Sequence, residues 1–316
     1  MVDDKYTTFS FPLNSLSSLQ YQVTQLCGTE PPFENEYWDF WGEGIYLDRI
    51  SKCPLFASFH KFDSGSGWPS FVHPINNSEI LEKEDFSHGM KRIEVKSVTA
   101  NSHLGHVFSD GPLGLPRYCI NSASLEFVPL TQLEKRGLGH LCSLFSKERC
   151  SSLGLGGGCF WGVQALLKKL PGIRRSQVGY WGGDAITANY EQICQGETGH
   201  AEVVWVEYYS DILPTESLLR YFLLLHDPTT VNRQGLDQGT QYRSLVVCTD
   251  SSQFDLMCEL KEKFFKESIL KRPCVTEITL SSEEEFFMAE EYHQNYYKKK
   301  YSGRLGPVCH ALRRHY

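Results

Sequence analysis

The sequence lacks several features that mark particular classes of protein. It contains no apolar run of transmembrane length, and residues 1–5 carry acids where a signal peptide carries bases. It has no excess of basic residues, because 31 Lys and Arg stand against 38 Asp and Glu, and the net charge is −7. We therefore expect no nucleic acid and no membrane among its main partners, and a cytoplasmic location.

The cysteines lack the spacing of a recognisable framework. Eleven are present, an odd number, and no two of them form a C-x-x-C pair. Without an export signal, such cysteines indicate free thiols or redox chemistry rather than a set of disulfides. The length of 316 residues and the hydrophobic content of 41% are typical of a globular protein with two domains.

Two patterns of hydrophobicity divide the chain. Between residues 19 and 132, short β-prone runs alternate with turn residues and predict a mainly antiparallel β domain. Between residues 152 and 316, strand-like and helix-like segments alternate and predict an α/β or α+β domain. Residues 1–18 carry few structural signals and are predicted to be an N-terminal arm, and the polar stretch 133–151 is predicted to be a linker.

Two helix starts are predicted in the second half. Thr215 is the expected N-cap of a helix that ends near residue 225. Ser282 and Glu285 have the spacing of a capping box, which predicts another helix from about residue 286.

A glycine-rich stretch, 153–162, surrounds Cys159 and precedes a helix-like segment, 163–170. The glycines let the backbone turn tightly, and they place Cys159 at or beside a helix N-terminus. There, unpaired N–H groups and the helix dipole favour the thiolate, which is the reactive form of cysteine. A phosphate-binding loop would require Gly-Lys-Ser/Thr, which is absent, and a buried structural cysteine is the other alternative.

The run 158–162, with sequence GCFWG, resembles the signature of the A-type peptide methionine sulfoxide reductases. The clusters 179–183, 196–202 and 237–244 extend this resemblance over nearly the whole of 153–295. The resemblance implies a two-layer α/β (α+β) sandwich with a mixed sheet.

It also implies thiol chemistry. A thiolate attacks the sulfur of a sulfoxide while the departing oxygen takes up protons, so a nucleophile, an acid and hydrogen-bond donors are required. The resemblance implies Cys159 as the nucleophile and Glu202 as the acid, whose pKa an apolar pocket would raise. The resemblance also implies that Tyr180 and Tyr242 hydrogen-bond the sulfoxide oxygen and that Asp237 belongs to the same network. Phe160 and Trp161 would hold the methyl group of the substrate.

The first half has its own group of reactive side chains. They lie within twenty residues of one another: His103, His106, Asp110, Arg117, Cys119 and Asn121. On composition alone this group fits a metal site or a Cys/His catalytic site, although zinc would require more ligands at close spacing. Two core histidines and a packed cysteine are the remaining alternative.

Together with residues 28–33 and 67–71, this group resembles the B-type peptide methionine sulfoxide reductases across roughly 19–130. That family uses the same chemistry in an unrelated β fold and reduces the other sulfoxide epimer. The resemblance implies Cys119 as the nucleophile. The other implied residues handle the proton and oxygen, support the thiolate or wall the pocket: His103, His106 and Asn121, then Arg117 and Asp110, then Trp68.

The chain therefore resembles a B-type unit fused to an A-type unit. Such an enzyme reduces both epimers of methionine sulfoxide, free and in proteins, and repairs oxidised proteins. The resemblance implies that the C-terminal domain takes the S epimer and the N-terminal domain the R epimer. It implies thioredoxin or dithiothreitol as the reductant and no bound cofactor.

The chain departs from the B-type pattern at two places. Many members bind a structural zinc with two C-x-x-C pairs, but the corresponding positions here are Asp48, Ser51, Ser97 and Ala100, so no zinc is predicted. The position of the usual resolving cysteine holds Ser66.

The resolving thiols must therefore be sought elsewhere. Cys27 is the best candidate in the first domain, with Cys53 behind it. In the second domain, the tail after residue 300 carries Cys309, which is expected to reach Cys159 as a recycling cysteine.

Two other functions fit parts of the pattern. Cys159 with His200, or Cys119 with His106, has the composition of a Cys/His acyl-transfer enzyme. A non-catalytic module that binds oxidised methionine would need only the aromatic walls.

Overall fold

The computed structural model describes residues 13–267, residues 272–301 and residue 310. These residues form two compact units that divide after residue 145. Within the described ranges, no helix has both the length and the apolar character needed to cross a bilayer. Most of the predicted N-terminal arm, residues 1–12, lies outside the described residues.

The first unit contains one α-helix, α1 (Ser18–Leu26), and nine strands among its described residues. The strands are β1 (Gly44–Asp48), β2 (Pro54–Ala57), β3 (Lys61–Phe62), β4 (Ser70–Phe71), β5 (Ile80–Asp85), β6 (Arg92–Ser97), β7 (His103–Phe108), β8 (Arg117–Ile120) and β9 (Leu125–Pro129). They form a three-stranded sheet, β2-β1-β9, and a six-stranded sheet, β3-β4-β8-β7-β6-β5. Every neighbouring pair is antiparallel, so the predicted antiparallel β fold is confirmed.

Aromatic side chains fill the core that these strands share. Tyr46 of β1, Phe56 of β2 and Phe71 of β4 are fully buried. The rings of Phe56 and Phe71 stack with centroids 4.4 Å apart. Burial of such large apolar side chains stabilises the unit by about 2 kcal/mol each.

Helix α1 was not expected from the sequence pattern. Its N-cap is Ser17, and Ser17 with Gln20 forms a capping box in which each side chain bonds the other's backbone N–H. The helix ends at Cys27, which has a left-handed backbone conformation, with φ of 54°. The mainly β domain expected over 19–132 thus begins with a helix.

The stretch 133–145, expected to open the linker, contributes buried side chains. Leu133, Leu141 and Phe145 are buried, the last two within a 3₁₀ helix over Gly139–Phe145. The ring of Phe145 packs edge-on against that of Phe59, with centroids 5.3 Å apart.

The second unit contains eight strands and five α-helices among its described residues. The strands are β10 (Cys150–Gly157), β11 (Ile173–Trp181), β12 (Ala201–Tyr209), β13 (Arg233–Gln234), β14 (Asp237–Gln238), β15 (Ser244–Cys248), β16 (Glu277–Leu280) and β17 (Phe286–Met288). The helices are α2 (Phe160–Leu167), α3 (Tyr190–Ile193), α4 (Thr215–Leu225), α5 (Ser251–Glu267) and α6 (Tyr296–Tyr301).

A six-stranded mixed sheet organises this unit, in the order β16-β15-β10-β12-β11-β17. The pair β15 and β16 is parallel, and the other pairs are antiparallel, so the predicted mixed sheet with helices is confirmed. Alternate residues of the strands face opposite sides. Val204 and Val206 join the helices in the main core, while Val203 and Trp205 belong to a smaller apolar cluster.

Two predicted helix starts are wrong. Helix α4 begins with Thr215, but Pro214 occupies the N-cap position, and the hydroxyl of Thr215 bonds that of Tyr208 at 2.8 Å. Ser282 makes no capping hydrogen bond, and the segment after it becomes the edge strand β17, which pairs with β11. Pairing with a neighbouring strand satisfies the backbone here, and the sequence pattern carried no sign of that neighbour.

Candidate active sites

In the first unit, Cys119 lies near the middle of the six-stranded sheet. Its neighbours in register are Ser70 on β4 and His106 on β7, and His106 is in turn opposite Glu94 on β6. Residues in such a row point to the same face of a sheet and lie about 4.8 Å apart. A thiol, an imidazole and a carboxylate therefore share one face.

The thiol of Cys119 is half-buried, and the Ser66 hydroxyl lies 3.8 Å from its sulfur. Burial raises the pKa of the Cys119 thiol, and the Ser66 hydroxyl and the charge of Arg117 oppose this shift only in part. Burial therefore favours the neutral thiol over the thiolate in this unit.

The two histidines are each held by a carboxylate. Nδ1 of His103 bonds Glu94 at 2.7 Å, and Nε2 of His106 bonds Asp85 at 2.9 Å. Burial lowers the pKa of His103, although Glu94 opposes this shift. The sequence analysis brought the histidines together correctly but missed both carboxylates. Their only signal was the presence of acids in β5 and β6, which is common on exposed strands.

Four other predicted residues make framework contacts around this face. The Asn121 amide donates to the Leu104 carbonyl at 3.0 Å and accepts the Glu30 N–H at 3.2 Å. The Trp68 indole N–H donates to the Glu30 carbonyl at 3.0 Å. Arg117 forms a two-pronged ion pair with Asp110, at 2.8 and 3.0 Å.

Glu30, which the sequence analysis did not single out, is buried beneath these contacts. Its carboxylate accepts the N–H groups of Ser122 and of Ala123, the second at 2.8 Å. Its carboxylate thus holds the turn that follows Cys119, and its backbone carbonyl holds the indole of Trp68.

The positions that correspond to the family's zinc ligands are occupied by a hydrogen-bond network. Buried Asp48 accepts from the backbone of Ile50 and from the hydroxyls of Ser51 and Ser102. Ser97 accepts the Ala100 N–H at 3.4 Å. One carboxylate and hydroxyls do not supply the thiolate or imidazole ligands of a structural zinc site, so these residues do not fit that metal.

In the second unit, Gly158 follows β10, and Cys159 then occupies the N-cap position of α2. Gly158 before it has φ of 92°, and a Cβ there would come within 2.6 Å of Gln234. Only glycine fits this tight approach, which brings the thiol to the first turn of the helix.

Glu202 on β12 meets the same helix end. Its carboxyl accepts the N–H of Phe160 at 2.9 Å, and it is only 3% exposed. Burial raises the pKa of Glu202 to about 8, with a further contribution from the negative charge of Asp237. The group is therefore protonated at neutral pH, and it bonds the residue that directly follows Cys159.

Two tyrosine hydroxyls are expected in this cluster, those of Tyr242 and Tyr180, and the structure gives them different surroundings. Burial raises the pKa of Tyr242, and the charges of Glu202, Asp237 and Cys159 add to the effect. The hydroxyl of Tyr180 instead donates to Glu290 at 2.9 Å.

Tyr190 was missed by the sequence analysis. Burial raises its pKa to about 12, and Cys194, Glu202 and Cys159 contribute in that order. Its backbone N–H donates to Glu290 at 3.0 Å, so the same carboxylate holds Tyr180 and positions Tyr190. The signal available in the sequence was Asn189, whose side chain caps the short helix that begins at Tyr190.

Aromatic rings pack together at the start of α2, which Cys159 caps. Phe160 is buried, while Trp161 is half-buried and stacks on Tyr296, with ring centroids 3.7 Å apart. The indole N–H of Trp161 donates to Nδ1 of buried His293 at 3.0 Å. His293 and Tyr296 lie far along the chain, so their roles could not be predicted from the local motif.

Two further predictions meet different outcomes. Cys309 lies outside the described residues, but its chain neighbour His310 is buried. The Nε2–H of His310 donates to the Gly157 carbonyl at 2.6 Å.

His200 uses both ring nitrogens on backbone groups, Gly183 N–H and the Asp184 carbonyl. This arrangement does not support a Cys159–His200 pair.

Comparison with known proteins matches each unit to a family. A family model described as "Peptide methionine sulfoxide reductase" matches residues 151–314, and one described as "SelR domain" matches residues 16–129. Peptide methionine sulfoxide reductase MsrB of Staphylococcus haemolyticus is 54% identical over 136 residues, which cover 42% of this chain and 96% of that protein.

Two solved structures resemble the chain. Mxr1 of Saccharomyces cerevisiae in reduced form is 32% identical, covers 53% of this chain and 94% of its own, and has a TM-score of 0.48. Methionine sulfoxide reductase A of Corynebacterium diphtheriae is 31% identical, covers 49% of this chain and 77% of its own, and has a TM-score of 0.44.

The first family match alone covers more than half of the chain. The resemblance seen in the motifs is confirmed, as is the predicted reduction of both epimers of methionine sulfoxide. The chain belongs to the peptide methionine sulfoxide reductases, and it joins an R-specific B-type unit to an S-specific A-type unit in one polypeptide.

Proposed function

We propose that each unit carries an independent thiol active site, with Cys119 as the nucleophile of the first and Cys159 as that of the second. Each thiolate attacks the sulfoxide sulfur, and the sulfur–oxygen bond of the substrate breaks. The products are methionine and a cysteine sulfenic acid. The observation that carries this proposal is the position of a protonated, buried Glu202 against the helix turn that begins at Cys159.

In the second unit, Glu202 donates the proton that the departing oxygen requires. Tyr242 and Tyr190 hydrogen-bond that oxygen, because both hydroxyls lie near enough to Cys159 to be influenced by its charge. Trp161, fixed by His293, walls the methyl group of the substrate.

In the first unit, His106 and His103 handle the proton, each oriented by its carboxylate. Arg117 supports the Cys119 thiolate through its charge. Asn121 and Trp68 act by holding the loops around the thiol, since backbone groups occupy their polar atoms.

The sulfenic acid of each unit then condenses with a second thiol and releases water, and thioredoxin reduces the resulting disulfide. We propose Cys27 for the first unit and Cys309 for the second. A cytoplasmic location would supply thioredoxin and keep the remaining cysteines reduced.

We predict that the two activities separate by nucleophile. Cys159→Ser should abolish reduction of the S epimer and spare the R epimer, and Cys119→Ser should do the reverse, because a hydroxyl cannot form the sulfenic acid. Turnover of separate R and S sulfoxides of a blocked methionine, with dithiothreitol, measures both. Loss of both activities in either variant would exclude independent sites.

The pH dependence of the second unit should report Glu202. Protonated Glu202 is present below its pKa of about 8 and is lost above it, so kcat for the S epimer should fall as pH rises through that value. Glu202→Gln should lower kcat by about a hundredfold or more and remove this falling limb, because an amide does not titrate. R-epimer turnover in the same samples is the control. A falling limb that persists in Glu202→Gln would assign it to another group.

The two tyrosines should differ in their contribution. Tyr190→Phe should lower kcat for the S epimer by about a hundredfold, which is the usual cost of one donor to a reacting oxygen. Tyr180→Phe is the matched control, because its hydroxyl bonds Glu290, and it should lower stability by about 1 kcal/mol with little loss of kcat. Steady-state kinetics and urea unfolding distinguish them. A larger loss of kcat in Tyr180→Phe than in Tyr190→Phe would assign the hydrogen bond to the sulfoxide oxygen to Tyr180.

The resolving thiols should be separable from the chemistry. Cys27→Ser and Cys309→Ser should complete one turnover, since the first step is untouched, and then fail with thioredoxin while retaining some activity with dithiothreitol. Cys53→Ser should recycle normally.

The proposed Cys27–Cys119 disulfide requires the backbone to move. Cys27 contacts Glu94, whose strand lies two strands, or about 10 Å, from that of Cys119, beyond the reach of a disulfide without backbone movement. Peptide mapping after substrate treatment without reductant would identify the pairs. Cys119 joined to Cys53, or Cys159 to Cys150, would show that the chosen thiols are wrong.

A further inference from the structure

Three potential metal ligands meet beside the first active site. They come from different elements: Cys27 from the end of α1, Glu94 from β6 and His103 from β7. The Cys27 sulfur lies 3.4 Å from Glu94 Oε1, and His103 Nδ1 lies 2.7 Å from the same oxygen. All three ligand atoms lie within 4.8 Å of one another.

The chemical types of these ligands select among metals. A thiolate and an imidazole favour zinc over magnesium or calcium, and a carboxylate is a common third ligand. In a tetrahedral zinc site, neighbouring ligand atoms lie about 3.3 to 3.8 Å apart. The Cys27–Glu94 distance falls within that range and the His103–Glu94 distance is somewhat shorter, so small side-chain movements suffice to form the site.

Access and rigidity also fit a metal site. Cys27 is exposed, so an ion can reach the cluster from solvent, while His103 is buried, so one ligand is already fixed. Among the described atoms, Nε2 of His103 has no hydrogen-bond partner. It can therefore take the proton that Nδ1 gives up when Nδ1 binds a metal. Lys96 and Asp85 act electrostatically on Cys27 with opposite signs.

We propose that Cys27, Glu94 and His103 form a zinc site that switches off the B-type unit. Zinc would take the Cys27 sulfur as thiolate, with its proton released to solvent, and water would fill the fourth position. This site is separate from the positions around Asp48, which do not fit zinc. The inhibitory effect rests on the proposed function, because zinc removes the resolving thiol and one proton-handling histidine together.

Binding is tested directly on the reduced, chelator-treated full chain. Zinc affinity is measured by calorimetry, and cobalt in its place should give a thiolate-to-metal absorption band. Cys27→Ser should remove that band and weaken zinc binding by more than about a hundredfold, since loss of an outer-shell partner alone costs about 10- to 100-fold. Glu94→Gln should weaken zinc binding less.

Cys53→Ser is the matched control, because it removes a half-buried thiol of the same unit that bonds Thr99 instead. It should bind zinc as the unmodified chain does. Cys119→Ser should also retain the site, which separates it from the nucleophile. Unchanged zinc affinity in both Cys27→Ser and Glu94→Gln would overturn the proposal.

The regulatory consequence is tested by activity. Zinc should suppress thioredoxin-dependent reduction of the R epimer, with the S activity of the same chain as internal reference, and a chelator should restore it. If zinc binds through Cys27 but R-epimer turnover is unaffected, inhibition is wrong although the site stands. If Cys27→Ser recycles normally with thioredoxin, the resolving role is wrong although zinc binding is untouched.

Discussion

The second unit depends on the burial of one carboxyl group. Glu202 points from the central strand β12 toward the start of α2, and its carboxyl accepts the N–H of Phe160. Because the surrounding core excludes water, the neutral form is favoured, and the group keeps a proton at a pH where an exposed glutamate would have lost it. The strand order is compatible with this arrangement, since β12 lies beside β10, which leads into the turn that carries Cys159.

The first unit also requires a proton source near its thiol, but there the candidate groups are bases paired with acids rather than a buried neutral acid. Its proposed proton-handling groups are imidazoles paired with carboxylates, His103 with Glu94 and His106 with Asp85. Glu94 lies on the strand next to that of the histidines, and Asp85 lies one strand further, so the strand order of an antiparallel sheet brings these groups together. Two unrelated folds thus place a candidate nucleophile and a candidate proton source in one site, by strand pairing in one case and by a strand–helix junction in the other.

Local motifs were enough to predict the parts that are contiguous in sequence. The GCFWG run located Cys159 at a helix start, because glycines and a following amphipathic segment constrain the backbone within ten residues. The alternation of β-prone runs predicted the antiparallel sheets. Contacts between residues that are far apart in the sequence could not be predicted in this way. The sequence indicated Tyr180 and did not indicate Tyr190, because nothing local shows that Glu290, more than a hundred residues away, holds the Tyr180 hydroxyl.

The Ser66 hydroxyl lies 3.8 Å from the Cys119 sulfur, at the position of the usual resolving thiol. This residue therefore affects how long the oxidised form of Cys119 lasts. A hydroxyl can hydrogen-bond a sulfenic acid, but it cannot condense with it. In the proposed cycle, the oxidised sulfur therefore persists until the chain around Cys27 moves, and the lifetime of the intermediate is set by a conformational step. During that interval a second oxidant molecule competes for the same atom, and its product is irreversible for most proteins. The unit that repairs oxidative damage is thus most vulnerable to it directly after each successful repair.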